Sequence, residues 1–126
     1  MEAQKLGKHQ WKNRVVLILS KTIGNPVFQQ QSEGFDPNST GFKERKLIVY
    51  EILPDAFRLK NSQDESWEPS KSLFEIYNQE GVTFKVVLIG LDGGVKLETR
   101  ELLSTSELFE TIDAMPMRRS DLKNKN

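Results

Sequence analysis

Ser20, Lys21, Thr22 and Asn25 crowd into the short stretch "SKTIGNP". A hydroxyl beside a lysine is the minimum for nucleophilic catalysis without histidine, provided that the lysine is desolvated enough to act as a base. Nothing in the surrounding sequence desolvates Lys21, so the stretch reads as a plain loop. Asn25 followed by Pro26 also marks a helix start, where free backbone amides can hold an anion. Ser20, Thr22 and Asn25 are therefore a candidate anion site. A second cluster lies near the C-terminus, in "IDAMPMRRSDL", residues 112 to 122. It combines Asp113, Met115, Met117, Arg118 and Arg119. Carboxylate, thioether and guanidinium groups in this mixture suit either the closure of a core or a contact surface.

Other chemistry is excluded by what is missing. The chain has no cysteine, so it offers no thiolate nucleophile, no disulfide and no thiolate metal site. His9 is the single histidine; in a polar stretch it reads as solvated, and a histidine-rich metal centre cannot be built around it. "DPNSTG" and "LDGG" lack the alternating acids of a calcium loop. No cofactor or metal is expected. Eighteen basic and eighteen acidic residues cancel, which removes the field that would draw the molecule to nucleic acid. No apolar run approaches the ~20 residues needed for a membrane span, and the chain reads as soluble. "EAQ" before Lys5 would suit the end of a removed export signal, which leaves periplasm, exterior and cytoplasm all open.

These residues need a scaffold, and 126 residues at 37% hydrophobic content suffice for one domain. "RVVLIL" and "FKVVLIG" are nearly continuous apolar runs, as strands covered on both faces should be. "KLIVYEIL" is similar but carries Glu51. "VKLETR" alternates like an edge strand, and "LDGG" before it is a hairpin signal, so the last two strands are antiparallel neighbours. Helices are expected after Asn25, in a short turn reaching Arg45, and over "EPSKSLFEIYNQEG" with Leu73, Phe74, Ile76 and Tyr77 on one side. Another is expected after Ser104, where Glu107 completes a capping box. "RLKNSQDESWEPS" reads as a mobile surface loop. The order of elements predicts a three-layer α/β/α sandwich.

"HQWKNRVVLIL", "ERKLIVYEI", "FKVVLIGLDGGVKLE" and "LFETIDAMPMRRSDL" together resemble one family. It is the bacterial thioredoxin-like, peroxiredoxin-like domain of unknown function that also occurs in vertebrate sushi-repeat and equarin-type matrix proteins, the DUDES domain. The likeness covers residues 9–122 as one domain, with 1–8 and 123–126 as flexible termini. The family usually carries a lysine where Leu91 stands, so this chain has no cation at that spot. The resemblance implies a mixed four-stranded sheet of order 4-3-1-2. Thioredoxin relatives place their working cysteines after the first strand, where this chain has Ser20 to Pro26; the proline usual before the third strand is also absent from "QEGVTF".

The implied topology gathers Trp11, Arg14, Asp92, Asp113, Met115, Met117, Arg118 and Arg119 at the opposite pole. On one reading that pole is structural: Trp11 sits between Met115 and Met117, Pro116 stops the helix, and arginines pair with Asp92 and Asp113. On the other, free arginines read an anionic group or a protein partner. The expected function is a non-enzymatic binding or scaffold module. The alternative is a non-thiol enzyme acting on an anionic small molecule through this pole or through the Ser20–Asn25 loop.

Overall fold

The computed structural model describes residues 9–60 and 66–115. The apolar run Arg14–Ser20 forms β1, and all seven of its residues are buried. Its central place explains that pattern. β1 pairs in parallel with β2 (Leu47–Ile52) on one side and antiparallel with β5 (Phe84–Ile89) on the other. β6 (Val95–Thr99) continues the sheet beyond β5; from Lys96 on it alternates between exposed and half-buried residues, as an edge strand with one wet face must, and its register against β5 shifts by one residue before Leu97.

Among the described residues the sheet has six strands, in the order β4-β3-β2-β1-β5-β6. This corrects the expectation of four. The added pair is β3 (Ala56–Leu59) and the two-residue β4 (Glu68–Pro69), which lie beyond β2 and make it an interior strand. Part of the segment read as a mobile loop is therefore sheet. The physical reason is visible in the register: Arg58 lies opposite Glu51, so β3 supplies the partner that a carboxylate inside an apolar strand requires. Phe57 on the same strand is buried against the core.

Among the described residues four helices cover the sheet. Asn25 caps α1 (Pro26–Gly34), accepting from the Val27 amide, and Ser39 caps the short α2 (Thr40–Glu44). α3 spans Ser72–Tyr77; Leu73 and Phe74 are buried, whereas Ile76 faces outward. α4 (Thr105–Asp113) begins at Ser104, whose hydroxyl accepts from the Glu107 amide. Alternation along the strands splits the core in two. Val16, Ile18, Val49, Val86 and Leu88 pack with Phe28, Phe42, Leu108 and Ile112 from α1, α2 and α4. Val15, Leu17, Ile48, Tyr50 and Val87 pack with Leu73 and Phe74 from α3.

Among the described residues no helix is long and apolar enough to cross a membrane.

Candidate functional site

The amino end of β1 is where several chain segments meet. Gln10 and Trp11 reach across to the β5–β6 turn: the Trp11 amide donates to the Leu91 carbonyl and Gln10 Nε2 donates to the Asp92 carbonyl at 3.0 Å. The turn itself is closed by Gly90 and Gly94, with Gly93 at φ +83, a conformation that glycine adopts without strain. Trp11 is 62% exposed, and its φ of 68 lies in the left-handed region. Lys46, just before β2, shares that conformation at φ 54. Side chains with a Cβ adopt it at a cost, so both backbones are held there by their surroundings. Lys46 is fixed by the Arg14 amide and Asn13 Nδ2, which both donate to its carbonyl.

One of the two expected arginine–aspartate pairs is present among the described residues. The Arg–Asp contact between elements is made by Arg45, just after α2, which grips Asp113 of α4 with two bonds of 3.0 and 2.8 Å. Its guanidinium also donates to the Gly41 carbonyl and sits 3.9 Å from the Phe109 ring centroid. A carboxylate at a helix C-terminus is unfavourable unless a cation answers it, and Arg45 does so. Gly41 permits the approach, since a Cβ there would come within 2.6 Å of the Phe109 ring. Arg14 is fully buried, with Nη1 donating to the Arg45 carbonyl at 2.8 Å.

Among the described residues, Asp92 pairs with Lys96 at 2.8 Å. That bond, with one from the Gly94 amide, lowers the Asp92 pKa below its ordinary value. Met115 packs on the core at the end of α4, while Trp11 is largely exposed rather than covered by it. Met117, Arg118 and Arg119 lie outside the described residues. His9, expected in solvent, is half-buried and bonded to the Tyr50 hydroxyl at 2.8 Å. Burial first, and the Glu68 charge second, raise the pKa of that hydroxyl.

Beside this end lies a shallow groove of about 280 Å³, lined by Asn13, Asn38, Lys43, Lys46, Leu47 and Ile48. Neither lysine has a carboxylate partner among the described residues. The groove is thus rimmed by two cations and two amides over an apolar lining. Sequence reading missed Lys43 and Lys46; the signal available was the basic run "KERK" directly before a strand.

The chain matches the family described as a domain of unknown function (DUF4174) over residues 5–121. It belongs to that family. No curated protein and no solved structure matches the chain. The DUF4174 match takes in every element from β1 to α4 and carries no assigned activity, a coarser statement than the resemblance drawn from the motifs.

At the carboxyl end of β1, this DUF4174 domain uses its hydroxyls locally. Ser20 is buried; its Oγ donates to the Thr22 carbonyl at 2.7 Å and accepts from the Thr22 amide. Asn25 Oδ1 is occupied by the Val27 amide. Nearby, the buried Lys85 is bracketed by Glu80 at 2.9 Å and Glu98 at 3.1 Å, and Arg100 adds a second bond to Glu80. Burial pulls the Lys85 pKa down, but bonds to the two glutamates outweigh it and leave the value raised. Glu80 is lowered to about 2 by its bonds to Lys85 and Arg100.

A depressed carboxylate stabilises the fold above its ordinary pKa of 4.5, and the contribution disappears as pH falls through about 2. Glu80→Gln is therefore expected to unfold at lower urea than the parent at pH 7. The gap should narrow between pH 4 and 2. A gap that stays constant down to pH 2 would show that Glu80 contributes through something other than its charge.

Proposed function

We propose that this DUF4174 domain is a non-enzymatic binding module, thioredoxin-like in build, that engages an acidic protein surface through the amino end of β1. The observation that carries this reading is Trp11: a large aromatic side chain held outward, 62% exposed, on a backbone fixed by its bond to Leu91. Rigid exposed aromatics are the residues that dominate binding energy once desolvated by a partner. The cations Lys43 and Lys46 on the neighbouring groove fit a negatively charged counterpart and would steer its approach. Arg45 and Asp113 satisfy each other and belong to the scaffold, leaving lysines and tryptophan as the reading surface.

The order β6-β5-β1-β2 agrees with the thioredoxin-like arrangement expected from the motifs, with β3 and β4 as an addition. Without a cysteine the module has no thiol chemistry to perform.

The test is an amide-shift titration of the ¹⁵N-labelled protein with polyglutamate and, separately, with inorganic phosphate. Saturable shifts with polyglutamate at residues 11–13 and 43–48, weakened by salt and lost in Lys43→Glu with Lys46→Glu, are expected. Shifts centred on residues 20–25, or shifts with phosphate alone, would replace this reading with a small-anion site.

A further inference from the structure

We infer that two copies of this chain associate edge to edge through β6, joining their sheets in an antiparallel two-fold pairing centred on Leu97. β6 ends the sheet, and no described strand lies beyond it. Its outer backbone groups form a template for another strand. Natural edges are commonly guarded by charge and by bulges; β6 carries Lys96, Glu98 and, just after it, Arg100, and its pairing with β5 shifts register at Lys96. Here the charges alternate in sign, so they select a register rather than forbid pairing.

The registers can be compared directly. A two-fold axis perpendicular to the sheet keeps each face on its own side and pairs residues of like parity. Centring it on Leu97 sets Lys96 opposite Glu98 of the second copy and Glu98 opposite its Lys96. Both charged pairs are attractive, and directly opposed cross-strand pairs stabilise a sheet. Centring it on Glu98 sets Glu98 against Glu98 and Lys96 against Arg100; centring it on Lys96 opposes two lysines. Centring it on Thr99 pairs Glu98 with Arg100 without a like-charge contact, but half of that pairing lies beyond the end of β6; the Leu97 register keeps both attractive pairs within the strand. It also extends ion pairs already present, because Glu98 bonds to Lys85 and Lys96 bonds to Asp92 within each copy.

Sedimentation equilibrium of the full chain is expected to show a reversible dimer at micromolar to submillimolar concentration; a monomer throughout overturns the inference. Lys96→Glu alone and Glu98→Lys alone should each weaken self-association by about tenfold or more, since each turns both attractive pairs into repulsive ones. Mixing the two variants should restore association as a heterodimer. Dimers that persist in either single variant, or a mixture that stays monomeric, contradict β6 pairing. Because either reversal also disturbs a pair within the copy, Tm is measured for each. Leu97→Cys gives an independent readout in a chain without native cysteine: air oxidation should give a covalent dimer, whereas Thr99→Cys should not. Equal cross-linking of both, or none in either, overturns the register.

Discussion

Arg58→Ala is expected to destabilise the fold by about 3 kcal/mol, through a carboxylate left buried without its cation. Glu51 lies in the interior strand β2 and is 1% exposed. Arg58 Nε donates to Oε1 at 2.6 Å, and Ser32 Oγ from α1 donates to Oε2 at 2.5 Å. The guanidinium also lies 4.4 Å from the Trp67 ring centroid, which limits its access to water. Alanine removes the charge partner and the aromatic contact together, while Glu51 stays where water cannot replace them.

The converse change separates this cause from simple loss of packing. Glu51→Leu combined with Arg58→Leu should recover most of the loss, because a buried ion pair replaced by apolar groups of similar volume is often neutral. Urea denaturation of the two variants decides the matter. A loss below about 1 kcal/mol for Arg58→Ala would mean that water reaches Glu51 at little cost.

Leu88→Ala should cost about 2–5 kcal/mol, the range for deleting a buried branched side chain. Leu88 is fully buried in β5, paired with Val16 of β1 and Leu97 of β6, and packed beneath α1, α2 and α4. The tight packing of neighbours from three strands and three helices leaves little room for collapse into the cavity. Tm is expected to fall by roughly 10 °C or more. Leu102→Ala serves as the contrast: at 42% exposed it should change stability by only about 0.5 kcal/mol. Equal effects of the two would contradict the assigned core.

The strongly patterned segments were legible without coordinates. "RVVLIL" and "FKVVLIG" are apolar throughout because both of their faces are covered, and "VKLETR" alternates because one face of β6 is wet. The caps at Asn25 and Ser104 are local chemistry and read directly. β3 and β4 were not legible: only Phe57 among their six residues is buried, and two residues of β4 display no period. Glu51 did raise the right question, since a charge inside an apolar run needs a partner, but Arg58 was hidden in a stretch that looked like loop.

The site was harder still. Arg45 and Asp113 lie far apart in sequence, and nothing local to either one announces the other. His9 reached Tyr50 in the same unannounced way. Trp11 was recognised as notable, but an exposed tryptophan and a buried one look alike until the neighbouring backbone is known.

The central place of β1 has a consequence for synthesis. This strand leaves the ribosome before either of its partners, and one of its two edges waits for Phe84–Ile89. At ~5–20 residues per second, that interval lasts several seconds. During it β2 can cover only one edge, and the most apolar run of the protein stands open to mispairing. The nascent chain is thus most aggregation-prone in the interval between β1 and β5, and slower decoding between β2 and β5 would prolong the exposure.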